Sequence, residues 1–145
     1  MMRKMDKQPT NKITQMKLKG LLKVNELTVI ETLQKELPAE AGDLYLVQLM
    51  AVDVVQRELG GNSLNFYSRR FFRTRPLDCE PFPNMPEEII AATCSSQGNQ
   101  KRKAIIWFVR GFPFCLEFDS SIDSNVKCSW TCKLNPEFEK LISNI

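Results

Sequence analysis

From Phe112 to Asp119 the chain alternates strictly. Phe112, Phe114, Leu116 and Phe118 share one parity, and Pro113, Cys115, Glu117 and Asp119 share the other, the period of a strand with one covered face. Just upstream, Ala104 to Val109 is apolar at every position, as in a strand buried on both sides. The two runs meet at Arg110-Gly111, so a hairpin over 103–118 is predicted, with Ala104–Val109 interior to a sheet and Trp107, Phe114 and Phe118 in the core. Further along, Val126, Cys128, Trp130 and Cys132 alternate with Lys127, Ser129, Thr131 and Lys133, which predicts another strand with one wet face. By this parity Cys115 points outward, and Cys128 and Cys132 point inward.

Helical spacing dominates the first half. Leu27, Ile30, Leu33 and Leu37 repeat at helical intervals after Asn25, a suitable N-cap, and Pro38 ends the run. Ala39 to Gly42 reads as a connection and Asp43 as the cap of a second, buried helix over Leu44–Leu59, with Gly60-Gly61 as its terminator. Pro86-Glu87-Glu88 has the composition of a helix start, giving a short helix to about Cys94. Asn135-Pro136-Glu137 opens a last helix whose Phe138, Leu141, Ile142 and Ile145 form an apolar stripe suited to packing on a sheet.

These elements predict an α+β fold: an antiparallel meander sheet of three or four strands, packed against N-terminal helices and a C-terminal helix. Residues 1–24 read as a basic N-terminal tail or partial helix, and 25–145 as one domain. Twelve of the 13 aromatic residues fall between Leu64 and Phe138, so an aliphatic helical half precedes an aromatic β half.

Charge sharpens that division. Residues 1–24 carry seven Lys or Arg and one acid, net +6, which leaves 13 basic and 16 acidic residues, net −3, in the rest. The overall +3 therefore reflects the tail and is no sign of a nucleic-acid surface in the folded part. The longest apolar run is too short to span a bilayer, so no membrane association is expected. Five scattered cysteines in a chain long enough for a full core suggest reduced thiols and a cytoplasmic protein.

The absence of histidine removes Ser-His and Cys-His pairs and the commonest general base. It also leaves zinc short of ligands. Neither a metal nor a cofactor is expected. Glu117 and Asp119 share a strand face and could form a carboxylate pair, but outward charges are the ordinary finish of a one-sided sheet. Gly60-Gly61 lacks the lysine and hydroxyl residue of a phosphate loop.

One constellation suggests a ligand. Phe66-Tyr-Ser-Arg-Arg-Phe-Phe-Arg-Thr-Arg75 interleaves four arginines with four aromatics, the residue types enriched at protein hot spots and also those that hold single-stranded nucleic acid. Read as one strand over 63–75, it places Leu64, Phe66 and Phe72 in the core. Tyr67, Arg69, Phe71, Arg73 and Arg75 then form the opposite, partner-binding face. The expected function is a non-enzymatic protein-interaction domain such as a small inhibitor, an immunity-type protein or a complex subunit. The alternative is a single-stranded nucleic-acid binder using 66–75, with a histidine-free carboxylate enzyme third.

Overall fold

The apolar run Ala104–Val109 does lie inside a sheet. The computed structural model describes residues 17–60, 62–97, 101–120 and 127–145. Its helices are α1 (Val24–Glu36), α2 (Ala39–Met50) and α3 (Pro136–Ile142). Its strands are β1 (Val54–Arg57), β2 (Ser63–Arg70), β3 (Arg73–Arg75), β4 (Glu88–Gln97), β5 (Lys103–Val109), β6 (Phe112–Phe118) and β7 (Ser129–Leu134). The described residues form a seven-stranded sheet in the order β1-β2-β6-β5-β4-β7, with β3 paired to β2, and every pairing is antiparallel. The α+β prediction holds, and the sheet is larger than the three or four strands expected.

The core lies between the sheet and the helices. Phe108 of β5 stacks on Tyr45 of α2 at 6.2 Å, and it meets Phe82 at 5.3 Å and Phe138 of α3 at 4.9 Å between ring centroids. Tyr45 is fully buried and its hydroxyl donates to the Ile30 carbonyl of α1 at 3.1 Å, so its polar end is satisfied inside the core. Leu27, Val29, Ile30 and Leu33 supply the covered face of α1. Within the basic N-terminal stretch, residues 17–19 are helical, and Leu18 and Leu22 are buried in the same core.

Asn25 does not cap α1. It lies inside the first turn, and its Oδ1 accepts from the Cys128 backbone N–H at 2.9 Å and from Trp130 Nε1–H at 3.2 Å. Lys23 takes the cap position, and its N–H donates to the Glu26 carboxylate, half of a capping box. Asn25 thus ties the helix to the strand at the far end of the chain.

Three local predictions are overturned by tertiary pairing. The helix expected over Leu44–Leu59 starts earlier, at Ala39 behind Pro38, and stops at Met50. Its β-branched end becomes β1, with Val54 opposite Tyr67 and Val55 opposite Phe66. Gly60, at φ +95°, turns β1 into β2 and does not terminate a helix. The short helix expected from Pro86 is also a strand: β4 pairs on both sides, with β5 and with β7. The hydrogen bonds of two neighbours outweigh a favourable first helical turn, because local propensity is a weak prior.

The third correction is the parity of β6. Cys115 pairs with Trp107, but Pro113 pairs with Phe108, so Phe114 is an extra residue opposite no partner. This bulge shifts the alternation by one. Leu116 and Phe118 stay in the core, whereas Pro113 is buried and Phe114 half-buried. Trp107, expected in the core, is half-buried on the outer face with Cys115. The bulge also explains how a proline, which lacks an N–H, fits beside β5.

Reduced cysteines are contradicted as well. Cys94 on β4 and Cys132 on β7 are directly opposed and joined by a disulfide across 38 residues of sequence. Both side chains are buried under α1. Cys79, Cys115 and Cys128 take no part in this bond. The bond removes reduced thiols as support for a cytoplasmic location, since such bridges persist where conditions are oxidising. Among the described residues no helix is long and apolar enough to cross a membrane.

Two stability outcomes follow from this core. Phe108→Ala should cost about 3–5 kcal/mol, while Phe114→Ala, at a half-exposed bulge, should cost under about 2 kcal/mol; urea midpoints measure both. Reduction of the buried bridge should lower stability by about 3–4 kcal/mol, as loss of a crosslink of this span does in the chain-entropy picture, read as a fall in midpoint with reductant present.

Candidate functional site

The segment expected to run as one strand folds back on itself. β2 and β3 form a hairpin with Ser68 opposite Arg75, Arg69 opposite Thr74 and Arg70 opposite Arg73, so that Phe71 and Phe72 alone make the loop. Their φ angles are +53° and +64°. Two-residue hairpin loops favour positive φ because it matches the strand twist, and Asn-Gly is the usual solution. Bulky side chains meet steric resistance there. Both rings nevertheless project into solvent, Phe71 83% and Phe72 99% exposed.

The hairpin divides the residues that the sequence put together. Directly opposed residues share a face, so Arg73 and Arg75 lie on the side of Arg70 and Ser68, while Arg69 and Tyr67 lie on the other. Phe71, Arg73 and Arg75 are brought together with Arg70 and Thr74 around an open hollow of about 640 Å³. Tyr67 is set back on the outer sheet face, half-buried, with Phe114 edge-on at 5.5 Å. Phe72, assigned to the core, is the most exposed ring of the group, and Phe66 is buried as expected. Arg70 and Thr74 line this hollow although strand parity left them off the expected partner-binding face. Their signal would have been the near-symmetry of Arg-Arg-Phe-Phe-Arg-Thr-Arg about the two phenylalanines, but no glycine or asparagine marks the turn.

Charge at the tip is nearly unopposed. Arg70 and Arg73 face each other across the hairpin, a like-charge pairing that works against it. Arg70 reaches Asp78 at only 3.7 Å with both side chains exposed, a weak pair, and its guanidinium lies 5.7 Å from the Phe71 ring centroid. Arg73 and Arg75 have no carboxylate at ion-pair distance among the described residues.

The base is firm. Ser68 is buried; its hydroxyl donates to the Ala51 carbonyl at 2.6 Å and accepts from the Asp78 N–H at 2.9 Å. Asp53 accepts from the Arg69 N–H at 2.9 Å and from Lys17 Nζ at 2.8 Å. Partial burial pushes the Asp53 carboxyl up, but the Lys17 and Arg69 hydrogen bonds and their charges outweigh it, and the group titrates below the usual aspartate range.

Other chemistry does not assemble. Glu117 is exposed, 3.5 Å from Trp107 Nε1, and Asp119 lies past the end of β6 with its N–H on the Lys103 carbonyl. No group of three or more metal-binding side chains occurs among the described residues. No family model matches the chain, and no curated protein or solved structure matches it.

The anchoring of the hairpin has a pH signature. Because the folded pKa of Asp53 is depressed, its contribution is complete above the ordinary aspartate value of about 4 and is lost as pH falls through the folded value. Asp53→Asn should cost up to about 1 kcal/mol at pH 7, and the difference should shrink as pH falls from about 4 through the folded value; thermal melts across that range measure the convergence.

Proposed function

We propose that the protein is a non-enzymatic interaction module that holds another protein by the β2–β3 hairpin. One observation carries this reading: two adjacent phenylalanines stand almost fully exposed at positive φ in a loop flanked by arginines. Three local rules are broken at one place, namely turn chemistry, opposite-charge pairing and burial of large apolar groups. Such breaches concentrate where binding is served. A partner that takes Phe71 and Phe72 into an apolar pocket and offers carboxylates to Arg70, Arg73 and Arg75 would relieve all of them, since guanidinium groups pair bidentately with carboxylates.

The same arginines suit phosphate, which supports the nucleic-acid alternative. Placement favours protein. Bases stack on aromatic faces lying along a cationic groove, whereas Phe71 and Phe72 project past the strand ends and Tyr67 packs on Phe114.

The test replaces the loop by the sequence its geometry prefers. Phe71→Asn with Phe72→Gly should raise stability by roughly 1 kcal/mol or more and remove the partner in affinity capture from native lysate. Wild type should recover it with or without nuclease. Loss of the captured species on nuclease treatment would transfer the hairpin to nucleic acid, and a partner retained by the double variant would show that the hairpin is not the interface.

A further inference from the structure

The outer sheet face holds the chemical complement of the hairpin. The bulge at Phe114, together with Trp107, Val109 and Cys115, makes the apolar floor of a groove of about 260 Å³, whose rim includes Glu58, Asn65 and Glu88. That is below the size of pockets that enclose drug-sized ligands, about 300 Å³ and upward. It suits one or two side chains better than a metabolite. Glu58 and Glu88 are exposed and have no ion-pair partner among the described residues. The Cys115 thiol registers the negative surroundings: burial first, then the charges of Glu117 and Glu58, push it up to about 11.

We propose that a second copy of this chain docks its Phe71–Phe72 hairpin into this groove, so that the chain associates with itself. The inference rests on the hairpin being an interface and names its partner. The acceptor surface has what the hairpin needs, an apolar floor for the rings and two unpaired carboxylates set against the unpaired Arg73 and Arg75. A chain cannot serve its own groove. Asn65 on the rim and Phe71 at the tip are six residues apart along the same strand and its turn, about 20 Å at strand rise, and Ser68 and Asp53 hold that strand down between them. With donor and acceptor displaced on one rigid element, two copies related by a two-fold axis exchange hairpins reciprocally, and the contact closes as an isologous dimer.

Sedimentation velocity on the full chain between about 1 and 300 µM, the range of modest protein affinities, tests this with charge exchange. Wild type should pass from monomer to dimer. Arg73→Glu with Arg75→Glu, and separately Glu58→Lys with Glu88→Lys, should each weaken self-association tenfold or more, on the order expected when like charges are opposed. All four positions are exposed, so each variant should keep the wild-type melting profile. An equimolar mixture of the two variants should restore dimer, because both hairpins then meet grooves of opposite sign. Wild type remaining monomeric throughout, dimers indifferent to the substitutions, or a mixture that fails to reassociate would each overturn the proposal. The hairpin interface has its own fate: if wild type stays monomeric but Phe71→Asn with Phe72→Gly still loses a foreign partner in capture, the hairpin stands and the self-docking falls.

Discussion

Phe108 is the residue on which the layers of this molecule meet. Its ring touches Tyr45 of α2, Phe138 of α3 and Phe82 of the loop before β4, so one side chain of the central strand joins the sheet to helices from both ends of the chain. Placing that loop over the ring requires Gly111. A Cβ there would stand 2.3 Å from the Phe82 carbonyl oxygen, and φ is +87°. The Gly111 carbonyl accepts from the Phe82 N–H at 2.9 Å and from the buried Gln48 side chain at 2.8 Å. Backbone contact, a helix amide and an aromatic cluster therefore converge on the β5–β6 turn, where Gln48 Nε2 also donates to the Glu80 carbonyl at 3.2 Å while its buried Oε1 has no partner among the described residues.

The closely packed interior makes the hairpin tip stand out by contrast. Phe71 and Phe72 gain nothing from burial, occupy a backbone region that resists their size, and separate two arginines that repel. Such a tip persists only because its base is over-determined, by Ser68 bridging Ala51 and Asp78 and by Asp53 holding the Arg69 N–H. The anchoring explains why the cost can be local. Distortion at the loop is isolated from the core by a hydrogen-bonded collar.

Periodicity made part of this fold legible. Alternation at Trp130 and Cys132 and the helical stripe of α1 report burial directly, and the apolar run of β5 marks an interior strand, although its outer face at Trp107 is only half-buried. What periodicity could not carry was pairing. The valines after Met50 and the residues after Pro86 have local character that suits a helix, and only long-range neighbours, β2 for the first and β5 and β7 for the second, make them strands. The Cys94–Cys132 bond was hidden for the same reason, because the register that opposes the two residues is fixed by strands 38 positions apart. At the candidate site the residue types were visible and their arrangement was not: Phe71-Phe72 lacks the turn residues that announce a hairpin.

The bulge at Phe114 links the errors to the chemistry. A single unpaired residue in β6 moved one aromatic ring out of the core and sank Pro113 in its place. Had the alternation of Phe112–Phe118 run unbroken, Phe114 would lie beneath the sheet, and the outer face beside Trp107 would be finished by small and charged groups. Instead Phe114 lies edge-on to Tyr67, on the same strand that continues into the arginine hairpin. An apolar groove and a projecting apolar tip are thus fixed by adjacent strands of one sheet, and their separation is set by the rise of β2. A change of register at β6 would alter groove shape and hairpin position together, because a one-residue slip inverts every side chain on the strand.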